Sequence, residues 1–521
     1  MDISTLETWL WDAACAIRGA TDAPKFKDFI LPLVFYKRLS DVFGDEFAEQ
    51  VRVWGDEQTA YEVVAEDHAD ALRTGRKPIV RFFIPEKYSS AKIRNHPADT
   101  RLGEFVTEAL RHVEKLNPEL AGIFTVDYGV SQAGQRILDD DRLSALIEVI
   151  SQHRLGMKNA SPDILGHAYE YLLRKFAEGQ GQSAGEFYTP MEVGRLIARL
   201  INPIPKAHIY DCACGSARLL IKARLVYEQR NPKAKSKAPR LYGQESNATT
   251  FALAKMNMFL HDYTDAKIAI GDTFLKPQFA AKGAGLRRFD YVVANPMWNQ
   301  KNYDEVFYEN DPYDRFSHGT PPNSSADWGW VQHIFASLND TGRAAIVLDT
   351  GAVSRGSGGR SSNKERTIRQ AFVENDWIEG VILLPENLFY NTTAFGIILL
   401  LNRRKNNGRK GQIILVNASA HFRKEKPKNV LTDEGIEAVA GVYKAWETRA
   451  KLSKVITLKE VQEADYNLSP SQFVETGSRA KHRAIADILV DLGEAQQARE
   501  KADAELNAIL GKLGFCSGGK A

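Results

Sequence analysis

The chain has 521 residues, of which 44% are hydrophobic and 26% are charged, a composition that predicts a globular protein with two or three domains. It has no apolar run of about 18 residues, so the sequence predicts no membrane partner. The net charge of +2 lacks the basic excess of a protein that grips nucleic acid alone, and four scattered cysteines predict a reducing, cytoplasmic setting without disulfides or a metal site.

The first 160 residues are predicted to form an N-terminal helical domain. Apolar residues spaced three and four apart make one face of a first helix, which Gly19 can end. They are Leu6, Leu10, Ala13, Ala14 and Ile17. A second apolar helix follows at 26–43, where Pro32 is expected to begin or kink a turn.

Residues 161–430 are predicted to form a catalytic domain of the α/β class, built on a Rossmann-like, doubly wound sheet. Short apolar runs alternate there with helical stretches, as in mostly parallel sheets. The predicted strands are 208–210, 240–243, 267–271, 289–294, 344–348, 380–384 and 396–401. The last two are joined by a segment too short for a crossover helix, so they are expected to form an antiparallel hairpin.

Three loops are basic or rich in glycine, at 231–240, 354–364 and 402–411. Two interpretations stay open: they are solvated surface, or their Lys and Arg side chains contact a phosphate backbone.

Residues 431–521 are predicted to be a C-terminal helical region for subunit assembly, ending in a helical tail. From about 480, apolar residues alternate three and four apart and form a narrow stripe. They are Ile485, Ile488, Leu492, Ala495, Ala502, Leu506, Ile509 and Leu513. The stripe is suited to a partner helix or to packing on its own domain.

Acidic residues end three successive predicted strands. Asp211 precedes a small-residue loop in which Gly215 permits a tight turn and Ser216 opens a helix. Glu245 ends the next strand and can accept both hydroxyl hydrogens of a ribose, whereas Asp272 ends the third and can accept from an adenine amino group. Each acid alone could be a helix cap, but together they favour a ligand that contains adenosine.

The fourth strand ends in Asn295-Pro296-Met297-Trp298, the most specific feature of the chain. An exocyclic amine is a poor nucleophile because its lone pair is delocalised into the ring. The side-chain oxygen of Asn295 and the carbonyl of Pro296 can accept its two hydrogens and stabilise the developing transition state. Trp298 offers a flat face for a base that has left the helix. Beside an adenosine site, the loop favours methylation over a simple Asn-Pro turn.

A further segment, Gly185 to Pro190, precedes Glu192 and predicts a helix start. Since helix N-termini hold carboxylates well, it could receive the methionine end of a cofactor.

These motifs resemble the modification subunits of type I restriction–modification systems, which are adenine-N6 DNA methyltransferases. The resemblance covers nearly the whole chain, from LWDAACAIRG through GEFYTP, DCACGSARLLI, GQE and Asn-Pro-x-aromatic to the helical tail. The order of these elements is that of the γ arrangement of amino-methyltransferases.

The resemblance implies that S-adenosylmethionine is the cofactor and that Asn295, Pro296 and Trp298 form the catalytic loop. The cofactor-binding residues it implies are Glu186, Phe187, Tyr188, Thr189, Pro190, Met191, Asp211, Gly215, Ser216, Ala217, Arg218, Glu245 and Asp272. It also implies four associations: double-stranded DNA as substrate, a specificity subunit that chooses the sequence, two modification subunits per specificity subunit, and a restriction subunit.

The chain departs from the family pattern at two positions. Met297 stands where a second proline is common, and Arg218 stands where glycine is common. The long cation of Arg218 is expected either to turn outwards or to meet the methionine carboxylate. Three alternatives were weighed: a protein glutamine N5-methyltransferase, an assembly subunit without catalysis, and a stand-alone adenine methyltransferase. Glutamine methyltransferases are usually much shorter than this chain, and the intact Asn295 argues against a subunit without catalysis. A stand-alone methyltransferase needs a recognition domain, for which the ~100 residues after the sheet leave little room.

Overall fold

The protein is analysed as a computed structural model, which describes most of the chain. The described residues are 2–19, 26–97, 101–132, 135–160, 171–172, 189–280, 285–301, 305–359, 363–389, 392–426, 428–475 and scattered positions between 493 and 506. The chain divides into two units, Met1–Val474 and Glu475–Ala521. None of the helices in the described part of the chain has the length and apolarity to cross a membrane.

The N-terminal part is helical, as predicted. Its helices are α1 (Ile3–Ala16), α2 (Phe26–Trp54), α3 (Glu57–Thr74), α4 (Ser90–Arg94), α5 (Leu102–Leu116) and α6 (Asp140–Ser151). A small antiparallel hairpin, β1 (Ser131–Gln132) with β2 (Gln135–Arg136), precedes α6. The predicted apolar face of α1 is confirmed, because its five residues are at most 3% exposed. The helix ends at Ala16, shortly before Gly19, and α2 continues through Pro32.

The remainder of the first unit is built on one nine-stranded sheet. Its strands are β3 (His208–Asp211), β4 (Arg240–Glu245), β5 (Lys267–Ile270), β6 (Phe289–Ala294), β7 (Leu338–Asp349), β8 (Ile378–Leu383), β9 (Gly396–Asn402), β10 (Gln412–Asn417) and β13 (Ser453–Thr457). They lie in the order β13-β10-β8-β9-β7-β6-β3-β4-β5. A short hairpin, β11 (Phe422–Arg423) with β12 (Val430–Leu431), lies outside this sheet.

The sheet is mostly parallel, which confirms the predicted α/β class. Strand β9 runs antiparallel to both β7 and β8, so the predicted hairpin is also confirmed. The edge strand β13 is antiparallel to β10. Because β13 belongs to this sheet, residues 453–457 are part of the first unit, and the division of the chain near residue 430 stays a prediction.

Helices cover both faces of the sheet. They are α7 (Met191–Ile201), α8 (Arg218–Arg230), α9 (Ala248–Leu260), α10 (Glu305–Glu309), α11 (Asp327–Ala336), α12 (Lys364–Glu374), α13 (Asp433–Ala445), α14 (Leu458–Glu463) and α15 (Pro470–Phe473). Alternate strand residues enter different cores, since successive side chains of a strand point to opposite faces. Thus Val293 packs with α7, α8 and α13, whereas Val292 packs with α11 and α12.

Helix α9 is shared between the sheet and the N-terminal helices. Its Ala254 and Met258 belong to a core of the sheet, whereas Leu253 and Met256 belong to the core of α1, α2 and α5. Phe259 at its end packs edge-on against Phe35, with ring centroids 5.8 Å apart. The N-terminal helices and the nine-stranded sheet are therefore packed against each other through this helix.

Two of the three basic loops lie at the end of the sheet where the parallel strands β3, β4 and β7 begin. The 231–240 loop leads into β4, and the amide of Lys206 donates to the carbonyl of Lys237 at 2.8 Å. The 402–411 loop follows the end of β9, where Asn402 pairs with Arg343 near the start of β7. The described part of the 354–364 loop follows the parallel strand β7, so it lies at the opposite end of the strands.

The second unit holds the predicted apolar stripe. Six of its eight residues lie outside the described residues. Ala502 and Leu506 are described as helical, and Leu506 is 54% exposed. Arg499 forms an ion pair with Asp503 one turn later on the same helix.

Candidate cofactor and active site

The loop after β3 makes the tight turn that the sequence predicted. Gly215 and Ala217 both have left-handed backbone conformations, with φ of 53° and 64°. The amide of Cys214 donates to the carbonyl of Gln244 at 2.9 Å, which fastens the loop to β4. The helix α8 begins at Arg218, two residues later than the Ser216 start that was predicted, because Ala217 still has a non-helical conformation.

Open space lies above the turn at Gly215. A Cβ placed there would have no neighbour within 4 Å, so the backbone is open to a ligand on that side. At Gly243 a Cβ would lie 2.9 Å from Cys214 Sγ and 2.8 Å from a methyl carbon of Ile268. The small residue at 243 therefore lets the loop approach β4, and the loop remains accessible at its tip.

Asp211 is fully buried beneath this loop. Burial, with the nearby Glu245 carboxylate, raises the pKa of Asp211 to about 8, although the amide of Ala213 donates to Oδ1 at 3.1 Å. The thiols of Cys212 and Cys214 are buried as well, and burial raises their pKa. In the described parts of the chain, no group of three His, Cys, Asp or Glu residues is arranged to hold a metal ion.

Glu245 joins the loop to the start of α9. Its Oε2 accepts from the amide of Gly215 at 3.0 Å, and its Oε1 accepts from the amide of Asn247 at 2.8 Å. Asn257 on α9 also donates to the carbonyl of Ser216 at 3.0 Å. The carboxylate expected to bind a ribose thus lies directly beside the glycine turn.

Asp272 follows β5 and closes a turn of its own. Its Oδ1 accepts from the amides of Phe274 at 2.8 Å and Leu275 at 3.0 Å. Asp272 therefore has the capping role that the sequence offered as the alternative to ligand binding. Thr273 donates to the carbonyl of Cys212 at 2.5 Å, which links this turn to the glycine loop. Since β3, β4 and β5 are neighbours, the three acids stand at adjacent strand ends.

Arg218 is buried, with 6% of its surface exposed. Of the two orientations expected for this cation, the outward one is therefore wrong. Arg315 supports the neighbouring turn from below, because it donates to the carbonyls of Thr273 at 2.9 Å and Phe274 at 2.6 Å.

The Asn-Pro-Met-Trp loop begins where β6 ends, beside β3. The Asn295 amide is 8% exposed and has a partner at each end. Its Nδ2 donates to Thr189 Oγ1 at 2.9 Å, and its Oδ1 accepts from Trp298 Nε1 at 3.0 Å. Because an indole N–H can only donate, the atom that faces it must be the oxygen, so these partners determine how the amide is oriented.

Trp298 lies in a narrow pocket instead of presenting an open face. The ring is 8% exposed, its Nε1 also donates to the carbonyl of Val347 at 3.2 Å, and Phe389 packs edge-on at a centroid distance of 4.8 Å. A Cβ at Gly396 would lie 3.1 Å from the Trp298 ring, so glycine leaves room for the indole. Met297, the residue that departs from the family pattern, is 36% exposed.

The segment before α7 reaches the Asn-Pro-Met-Trp loop. Glu186, Phe187 and Tyr188 lie outside the described residues. Thr189 is buried, and α7 begins at Met191 after Pro190, which confirms the predicted helix start. The contact from Thr189 to Asn295 was not foreseen, since the two residues are 106 positions apart in the chain.

The sequence also missed the residues that surround the loop after Trp298. Arg355 was assigned either to solvent or to phosphate, yet it forms ion pairs with Asp327, Asp349 and Glu365. The only signal in the sequence was an arginine in a glycine-rich loop that follows a strand, and such a loop does not identify partners on other elements.

Two family models match the chain. The "N-6 DNA Methylase" model matches residues 160–482, and the "HsdM N-terminal domain" model matches residues 6–150.

Similar proteins include curated methylase subunits and a solved structure. The Type I restriction enzyme MjaVIII methylase subunit of Methanocaldococcus jannaschii is 36% identical over 490 residues, which cover 91% of this chain and 78% of that protein. The HindI methylase subunit of Haemophilus influenzae is 30% identical, over 80% of this chain and 93% of that protein. The crystal structure of a type I restriction-modification system methyltransferase subunit from Streptococcus thermophilus matches with a TM-score of 0.74 and 27% identity, covering 91% of this chain and all of that one.

Proposed function

Because this chain belongs to the N-6 DNA methylase family, as one of the methylase subunits of type I restriction–modification systems, we propose that it methylates the N6 amino group of adenine in DNA at the loop Asn295-Pro296-Met297-Trp298. The observation that carries this assignment is the Asn295 amide, whose oxygen is oriented by a donor-only indole at the end of a strand beside the glycine loop. The matches to DNA methylases favour this function over glutamine methylation.

The residues at the strand ends fit S-adenosylmethionine. The open tip at Gly215 can take the cofactor against backbone N–H groups, and Glu245 beside it can accept from ribose hydroxyls. Asp272, one strand further along, is available on the same edge for the adenine. Thr189, Pro190 and Met191 would border the methionine end at the start of α7, as the resemblance implies.

Bound S-adenosylmethionine supplies an electrophilic methyl group. The chain's own task is to make the adenine amine nucleophilic and to hold it in line. Asn295 Oδ1 has two lone pairs, so it can accept one amine hydrogen while it keeps the bond from Trp298. The Pro296 carbonyl accepts the second hydrogen. Both acceptors strengthen their bonds as positive charge develops on the nitrogen, and they lower the barrier for that reason.

The target base must leave the duplex to reach this loop. Trp298 would border the base, and the Phe389 ring beside it keeps the indole in place. Since the indole is nearly buried, we infer that the base contacts its exposed edge or that the ring moves outwards when DNA binds.

We propose that the chain works in a complex with a specificity subunit, in the ratio of two to one, and that a restriction subunit joins it on DNA. A net charge of +2 supports this proposal, because a subunit that relies on a partner to grip DNA needs no basic excess of its own. As an enzyme of intracellular DNA, it would act in the cytoplasm.

The test is methyl transfer from labelled cofactor to DNA, with and without the specificity subunit. Asn295→Ala is expected to abolish transfer while cofactor binding is kept, and Asn375→Ala, an exposed asparagine at the end of α12, serves as the matched control. Normal DNA methylation by the Asn295 variant would refute the assigned site, and labelling of a protein substrate in place of DNA would refute the assigned substrate.

A further inference from the structure

Asn299, the residue directly after the proposed catalytic loop, is held at its backbone N–H and at both polar atoms of its side chain. Its backbone is left-handed, with φ of 51°, a conformation that asparagine adopts more readily than most residues. Its amide donates to Asp327 Oδ1 at 2.9 Å, and its side-chain Nδ2 donates to Asp349. Its Oδ1 accepts from Arg355 at 3.0 Å.

Arg355 connects these partners to one another. It pairs with Asp327, with Asp349 at 3.1 Å, and with both oxygens of Glu365 at 2.5 and 2.9 Å. The three carboxylates come from the start of α11, the end of β7 and α12. We call Arg355, these three acids and Asn299 the Arg355 clamp.

Two of the three acids of the clamp are buried, whereas Asn299 is exposed. Asp327 is fully buried and Glu365 is 2% exposed. Burial raises the pKa of Asp327, and Arg355 opposes that rise. Burial also opposes the charge on Arg355, but the Glu365, Asp327 and Asp349 carboxylates raise the pKa of its guanidinium above the usual range. A cation so surrounded by carboxylates is poorly placed to bind a phosphate.

The chain is shaped to admit this guanidinium. A Cβ at Gly351 would overlap the Arg355 guanidinium and would lie 2.7 Å from Asp349 Oδ1. Gly351 also donates its amide to Asp349. Alanine at 351 would therefore displace Arg355 without removing its charge.

We propose that Arg355 is a positioning residue for methyl transfer, which acts by holding Asn299 in its left-handed conformation and thereby setting the positions of Trp298 and Asn295. The inference rests on the proposed role of the 295–298 loop. The loop has one fixed end at β6, and Asn299 is its other end, so release of Asn299 leaves the acceptor and the stacking ring free to shift. Misplacement of reacting groups by about 1 Å can cost ~100-fold in rate.

The test compares Arg355→Ala, Asn299→Ala and the double variant in the complex with the specificity subunit. Arg355→Ala is expected to lower kcat by about 10- to 100-fold, with the cofactor Kd and the KM for DNA unchanged. The double variant should be no slower than Arg355→Ala, because both changes remove the same restraint. Arg409→Ala is the matched control: Arg409 is a partly buried arginine that pairs with buried Glu379 on the other edge of the sheet. It should lose stability but keep kcat.

Three results would overturn the proposal: full kcat in Arg355→Ala, losses in the two single variants that multiply in the double variant, or a loss confined to DNA affinity and its salt dependence. If Arg355→Ala does not fold, Gly351→Ala and Arg355→Lys decide the question. Both should reduce kcat at unchanged cofactor affinity, because alanine at 351 displaces the guanidinium and lysine cannot reach all of its partners at once. Full kcat in both would refute the clamp. Activity in Asn295→Ala would instead refute the proposed site, so the two failures are distinguishable.

Discussion

The orientation of the Asn295 amide can be tested by removing one hydrogen-bonding atom at a time. Trp298→Phe keeps an aromatic ring but deletes the N–H that donates to Oδ1 at 3.0 Å. Thr189→Val keeps the shape of the side chain but deletes the oxygen that accepts from Nδ2 at 2.9 Å. Without these partners the amide can rotate by half a turn and present its NH2 group to the adenine amine, which is an unproductive pairing of two donors.

The size of the effect follows from the bonds that are lost. A neutral hydrogen bond contributes about 0.5–1.5 kcal/mol net, so each change should lower kcat by roughly 2- to 13-fold if that energy is what orients the amide. Trp298→Ala also removes the ring, and loss of stacking adds about 1–3 kcal/mol, a further factor of 5 or more. Thr189→Ser keeps the hydroxyl and should behave like the unmodified protein.

The assay is single-turnover transfer of labelled methyl groups to DNA by the complex with the specificity subunit, after cofactor Kd has been measured for each variant. Unchanged rates in both Trp298→Phe and Thr189→Val would refute the argument that these two partners orient Asn295. Equal losses in Thr189→Val and Thr189→Ser would point to packing rather than to the hydroxyl.

Three further predictions concern the strand ends. Asp211→Asn should raise the free energy of unfolding relative to the unmodified protein, and this difference should grow as the pH rises from about 4 to about 8. The reason is that the folded-state pKa of about 8 makes ionisation of Asp211 costly in that range and not below it. Urea unfolding at pH 5 and pH 7 should show the difference increase by about 1–3 kcal/mol, and a pH-independent difference would contradict this. Glu245→Gln should weaken cofactor binding by about 10-fold or more in calorimetry, since a charged acceptor beside Gly215 is lost, whereas unchanged affinity would place the ribose elsewhere. Gly396→Ala places a Cβ 2.5 Å from the Phe389 ring and should destabilise the protein by about 1–3 kcal/mol while slowing methyl transfer. Gly408→Ala, on an exposed loop, is its control. Equal stability and equal transfer rates in the two variants would show that the Trp298 pocket tolerates the methyl group.

Local patterns were sufficient to predict much of the sheet. The run at 289–294 forms β6 with the predicted bounds, and the 380–384 and 396–401 runs form the antiparallel pair. The strands at 412–417 and 453–457 were not predicted; the first has four apolar residues in a row, whereas the second has only two. Strand β7 begins at Leu338, six residues before the predicted run, because Leu338 pairs with Phe289 of β6 ahead of a register shift. Residues 339–342, which follow Leu338, have no apolar pattern that would predict a strand.

The contacts of the Asn-Pro-Met-Trp loop and of Asn299 after it were beyond prediction for a different reason. Thr189, Val347 and Arg355 reach the loop from elements far apart in the chain, and their pairing depends on the order of strands. Composition also misled at Arg355, because a glycine-rich basic loop on average indicates solvent, whereas one of its arginines is paired with three acids. The left-handed conformation at Ala217 was likewise not predictable, because alanine rarely adopts it.

Because α9 packs in two hydrophobic cores, the N-terminal helices and the sheet are difficult to produce as separate fragments. An excised fragment that begins near residue 160 would contain Leu253 and Met256 without the N-terminal side chains that cover them. It would therefore expose an apolar surface of α9 to water. The N-cap of the same helix, Asn247, donates its amide to Glu245, and Asn257 within the helix donates to the carbonyl of Ser216. Chimaeras between relatives should therefore exchange the first 160 residues together with the α9 residues that pack against them. Otherwise the apolar contacts between the N-terminal helices and α9 would no longer match.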